Sequence, residues 1–77
     1  MDPLPEFKSE PERQQWITDH ATLFTVIRRQ GRRYEREEFH TLAGAETYAE
    51  KIVARDANAR LLIYAVYGVH DTYVKSY

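Results

Sequence analysis

The chain has no cysteine, which excludes a disulfide framework, a thiolate zinc site and a cysteine nucleophile. Glycine is nearly as scarce. Its three copies, at 31, 44 and 68, make neither a GxGxxG nor a P-loop spacing, so no phosphate-cradling loop is expected. Serine stands only at 9, at the start of a helical pattern, and at 76, beside the last residue. Neither has a neighbouring histidine or a nucleophile-elbow context, which argues against a serine hydrolase. No apolar run approaches the roughly 18 residues of a membrane span. The N-terminus is acidic and carries Pro3 and Pro5, where a signal peptide would be basic and then apolar. A cytoplasmic protein with no membrane partner is the expectation.

What is present is enough for one core. Hydrophobic residues make up 43% of 77, and aromatic residues 13%. A domain of this size buries only about 60% of the surface its unfolded chain exposes. Its stability is correspondingly modest, roughly 4–11 kcal/mol at 0.05–0.15 kcal/mol per residue. The net charge of −1 conceals an uneven distribution: residues 1–20 carry five acids against two bases, and residues 21–40 five arginines against three glutamates.

Residues 1–8 lack periodicity and read as a flexible tail, leaving 9–77 as a single domain. Ser9 can cap a helix while Glu12 reaches back to the cap, which predicts a short helix over 10–18 docked by Trp16. Thr22, Phe24, Thr25, Val26 and Ile27 favour a strand over 21–29, with Leu23 and Ile27 on one face and Phe24 and Val26 on the other. Gln30-Gly31 supplies a tight turn into a second strand over 32–40. Thr41 stands at an N-cap position before the stripe Leu42, Ala45, Ala49, Ile52 and Val53, which predicts an amphipathic helix over 42–57 with Asn58 as its stop. The segment 60-RLLIYAVYGVHDTYVKSY-77 is apolar on both faces up to Tyr67, as a central strand is, then turns through Gly68 to Asp71 into a last strand. The expected class is α+β: a short N-terminal helix, then ββαββ, with one main helix packed on a four-stranded, mostly antiparallel sheet.

His20, His40 and His70 all fall at predicted element ends, without the spacing of metal ligands. We expect no metal, no cofactor and no catalytic residue. Six tyrosines, at 34, 48, 64, 67, 73 and 77, could stack bases on a sheet face or form a rim for a protein partner, a second copy included. Tyr64 and Tyr67 have opposite parity and cannot share one regular face.

Two charged sets remain. Arg28, Arg29, Arg32 and Arg33 bracket the first turn and would make a positive tip able to grip phosphates, the basis of a small nucleic-acid-binding module. The glutamates that follow and a sequence pI of about 6.3 oppose that reading. Glu35, Glu37 and Glu38, with Glu46 and Glu50 on the outer face of the main helix, form the complementary set, which would steer the chain toward a basic protein groove.

A cysteine-free α+β domain under 80 residues, with charge-rich surfaces and no catalytic constellation, resembles the small inhibitor proteins of phages and mobile elements, anti-CRISPR proteins in particular. The resemblance implies a non-enzymatic inhibitor that binds a nucleic-acid-handling effector, with a CRISPR effector subunit in its partner class, and blocks its access to DNA through acidic side chains laid on a basic surface.

Overall fold

The computed structural model describes residues 4–77. Its elements are α1 (Glu10–His20), β1 (Leu23–Gln30), β2 (Arg33–Phe39), α2 (Leu42–Arg55), β3 (Arg60–Tyr67) and β4 (His70–Ser76). The strands form one sheet in the order β2-β1-β3-β4, with every neighbouring pair antiparallel. The expected α+β class and element order are therefore present, and the apolar strand β3 is central.

Both helices lie on the same side of the sheet. Ile17 of α1 and Ala45 and Ala49 of α2 share one core with Phe24, Val26, Leu61, Ile63 and Ala65, which are alternate residues of β1 and β3. Small side chains at 45, 49 and 65 let α2 approach closely, while Leu42, Tyr48, Ile52 and Val53 close its flanks. In α1 the fully buried anchor is Ile17; Trp16 also packs against the core, as expected of a docking residue, but is only half-buried. The indole instead builds an aromatic group at the margin, stacked on His20 at 4.0 Å and edge-on to Tyr67 at 5.1 Å. Within the segment read as a tail, Leu4 packs against the core and Phe7 lies 6.0 Å from Trp16; residues 1–3 fall outside the described residues.

Local chemistry sets the element ends. Ser9 Oγ accepts from the Glu12 amide, as expected of a cap, but Glu12 Oε2 accepts from the Lys8 amide, one residue before the cap. Thr41 caps α2 through the Gly44 amide. The helix ends at Arg55, two residues earlier than expected. The Asp56 amide closes on the Ile52 carbonyl, and the Asp56 carboxylate accepts from the Asn58 amide, so Asp56 rather than Asn58 makes the stop. Both hairpins use a two-residue turn with glycine first. Gly31 and Gly68 take φ of +59° and +62°, while no non-glycine residue among those described has positive φ, as in a type II′ turn. β4 consequently starts at His70, earlier than the expected turn through Asp71.

β4 has a bulge. Ile63 pairs with Lys75 and Tyr64 with Tyr73, so Val74 is the extra residue. Residues 73 and 75 would share a face in a regular strand. The bulge separates them, sending Tyr73 to the uncovered side with Tyr64 and Lys75 to the helix side, where its ammonium lies 2.8 Å from Glu46.

The described chain is elongated, with extents of 41 × 21 × 19 Å. The radius of gyration is 13.4 Å, against about 11.5 Å for a compact chain of this length. Among the described residues, no layer lies over the second sheet face.

Candidate functional site

Pairing fixes the layout of the uncovered face, read across β2, β1, β3 and β4 in turn. The first row holds Tyr34, Arg29 and Arg60. The second holds Arg36, Ile27, Leu62 and Ser76, and the third Glu38, Thr25, Tyr64 and Tyr73. The fourth holds Leu23, Val66 and Asp71. The middle of the face is apolar and aromatic, with Leu62 37% and Tyr73 46% exposed although both are paired within the sheet. Its charges are sorted: three arginines toward the first end, Glu38 and Asp71 toward the other. None of these five makes an ion pair among the described residues. Arg29 instead lies 5.7 Å from the Tyr34 ring centroid, a cation–π distance.

The arginines expected to form one tip are divided by strand parity. Arg28 points to the helix side, where it lies 3.4 Å from Asp56 and 3.9 Å from Glu35 with its side chain 20% exposed. It braces the end of α2 against the hairpin. Arg29 is on the uncovered face, Arg32 is in the turn, and Arg33 pairs with Gln30 on the helix side. No four-arginine phosphate grip is formed.

The glutamates are also dispersed. Glu38 is on the uncovered face opposite Thr25, whereas Glu35 and Glu37 are on the helix side of β2. These two act on Tyr48 of α2: burial first, then the Glu37 and Glu35 charges, raise its phenol above the ordinary tyrosine value, with Arg28 opposing. Glu46 does not lie on the outer face of α2. It turns toward β4, and its bond to Lys75, together with Tyr77, holds that ammonium above the ordinary lysine value. Glu50 is exposed on α2.

Sequence reasoning passed over Leu62, Val66, Arg36, Arg60 and Asp71. Their common face depends on the β1–β3 register, which no local pattern encodes; the signal available was the shared parity of Leu23 and Ile27 opposite the buried Phe24 and Val26. Among the described residues there is no cavity and no group of three or more acids and histidines placed to hold a metal ion. No helix is long and apolar enough to cross a membrane. No family model matches the chain, and neither a curated protein nor a solved structure does.

Proposed function

We propose that this chain acts without catalysis, by protein–protein contact, and that the uncovered sheet face is its principal contact surface. The observation that carries this reading is one continuous face on which Leu23, Ile27, Leu62, Tyr64, Val66 and Tyr73 remain in reach of solvent. An apolar, aromatic centre with charges at its margins is the anatomy of a protein interface. The resemblance to small inhibitors adds a further partner class, a basic nucleic-acid-handling effector, which Glu35, Glu37 and Glu50 would meet from the β2–α2 side.

A second reading, a nucleic-acid-binding face, is favoured by Arg29, Arg36 and Arg60 beside Tyr34. The central tyrosines weigh against it. Tyr64 and Tyr73 meet edge to face at 73° with centroids 6.1 Å apart, so they pack on each other and do not offer two parallel platforms to bases.

Anisotropy of labelled single- and double-stranded oligonucleotides at physiological salt separates the two. Protein contact predicts no binding tighter than the non-specific range of about 10⁻⁴–10⁻⁶ M. Tighter binding that is lost on changing Arg29, Arg36 and Arg60 to glutamine would replace the first reading with the second. In parallel, purified effector complexes are assayed for DNA binding with and without the full chain. Inhibition by the wild-type chain, reduced by Glu35→Lys with Glu37→Lys, supports the effector as partner.

A further inference from the structure

We propose that the uncovered sheet face is the interface of a two-fold homodimer, in which a second copy stacks face to face with its strands reversed along the strand axis. The proposal rests on the contact-face reading above and names the occupant of that face.

A two-fold interface must be complementary to itself, since the same patch meets its own copy. A face with sorted charges meets this condition in one orientation and not in another. Consider a two-fold axis running across the strands, between the row of Ile27 and Leu62 and the row of Thr25 and Tyr64. The two central rows then exchange places, and so do the two outer rows. Arg36 comes over Glu38 of the second copy, Leu62 over its Tyr64, and Ile27 over its Thr25. The row of Arg29 and Arg60 turns onto the row of Leu23 and Val66, whose outer end is Asp71. Apolar centre meets apolar centre, Arg36 meets Glu38, and Arg60, over Val66, lies one strand from Asp71 of the other copy. An axis running along the strands, between β1 and β3, would instead place Arg29 over Arg60 of the second copy and leave Arg36 over Ser76 and Glu38 over Tyr73, with no opposite charges meeting. Charge therefore selects the reversed arrangement.

The charges needed are uncommitted. Arg29, Arg36, Arg60, Glu38 and Asp71 form no ion pair within the chain among the described residues, whereas Arg28 and Lys75 on the helix side are each paired. The size is sufficient as well. Four strands about 4.8 Å apart and seven or eight residues long cover roughly 19 by 25 Å. Two such faces bury on the order of 1,000 Å², where specific interfaces begin. Stacked sheets at about 10 Å separation would make a β-sandwich with helices on both outer sides and no uncovered sheet face. Glu35, Glu37 and Glu50 would remain outward on both copies.

The test is sedimentation equilibrium of the full chain from about 1 to about 500 µM, a range suited to an interface at the small end of the size scale. The wild-type chain is expected to be dimeric at the upper end. Leu62→Lys with Tyr64→Lys is expected to be monomeric throughout, its circular dichroism spectrum unchanged. Arg36→Glu is expected to weaken association at least tenfold, and Arg36→Glu with Glu38→Arg to restore it, because the exchange recreates the cross-copy pair. Both of these positions are solvent-exposed, so this arm does not depend on the core tolerating a change. A wild-type chain that stays monomeric overturns the dimer and leaves the contact-face reading to the effector assay, repeated with the Leu62→Lys, Tyr64→Lys variant. A dimer indifferent to Leu62→Lys with Tyr64→Lys overturns both. Dissociation without restoration by the charge exchange overturns the reversed orientation.

Discussion

Leu61 and Leu62 are chemically identical neighbours in one strand, yet Leu61 has no exposed surface and Leu62 is 37% exposed. The difference belongs to the two sides of the sheet. On the helix side, alanines at 45, 49 and 65 bring the layers together around Ile17, Leu61 and Ile63. Two cations there are paired within the chain, Arg28 with Glu35 and Asp56, Lys75 with Glu46. On the other side the same strands present leucine, isoleucine, valine and tyrosine to solvent, with five charges that form no ion pair among the described residues. One side is completed by its own helices. The other has an apolar, aromatic centre inside a charged margin and, among the described residues, no covering layer, and this contrast is the physical basis for the proposed contact surface.

Alanine at 61 or 62 is the sharpest way to break the comparison. Leu61→Ala should cost about 2–5 kcal/mol, the range for emptying a buried leucine site, against a total expected near 4–11 kcal/mol. Leu62→Ala should cost under about 1 kcal/mol at concentrations where the chain is monomeric, since an exposed site loses little packing. Urea unfolding at low micromolar concentration measures both. Equal costs would show that the two sides are not energetically distinct. Ala49→Leu probes the covered side from the opposite direction. Extra methylene groups under α2 should cost about 1–3 kcal/mol by forcing the helix away from the sheet, and the same denaturation experiment reports it.

Thr25 complicates the contrast. It is on the uncovered face but only 1% exposed, and its hydroxyl is buried without a hydrogen-bond partner. Flanked by Glu38 on β2 and Tyr64 on β3, it is hidden by its neighbours and not by a second layer. An unmatched buried hydroxyl costs about 1–3 kcal/mol. Thr25→Val keeps the shape and removes that cost, so it should stabilise the chain by about 1 kcal/mol and raise Tm by about 4–8 °C. An unchanged or lowered Tm would mean the hydroxyl is satisfied in solution.

The helices and strands were legible because their signals are local. Ser9 and Thr41 mark caps, Gly31 and Gly68 mark turns, and the spacing of Leu42, Ala45, Ala49, Ile52 and Val53 marks a helix face. The site was much less legible because it is made by pairing. Glu37 and Glu38 are adjacent in sequence and serve opposite sides of the sheet, as do Arg28 and Arg29, so clusters counted along the chain dissolve once parity is imposed. The bulge at Val74 hid the rest. Without it, Tyr73 and Lys75 would be assigned one face, and neither the Tyr64–Tyr73 pair nor the Lys75–Glu46 bond could be anticipated.

The smallest effect expected is a pH dependence confined to the covered side. Tyr48 lies against Phe39 at 5.1 Å, and burial together with the Glu37 and Glu35 charges raises its pKa in the folded chain. The unfolded chain then releases this proton at the ordinary value near 10, before the folded chain does. The stabilising contribution is complete below about pH 10 and is lost as pH rises through the folded pKa. Lys75, also raised, loses its contribution over a similar alkaline window, starting from an ordinary lysine value near 10.4. Tyr48→Phe keeps the ring against Phe39 and removes only the ionisation. Its urea midpoint should therefore fall less than that of the wild-type chain between about pH 9 and pH 11, with the remaining fall carried partly by Lys75. Replacing Glu37 by glutamine should act in the same direction by bringing the Tyr48 titration back toward the ordinary value, read from tyrosinate absorbance as the difference from a Tyr48→Phe control. Parallel alkaline curves for wild type and Tyr48→Phe would mean that the Tyr48 phenol is neither buried nor faced by Glu37 and Glu35, and the covered side would then be looser at its β2 edge than at its centre.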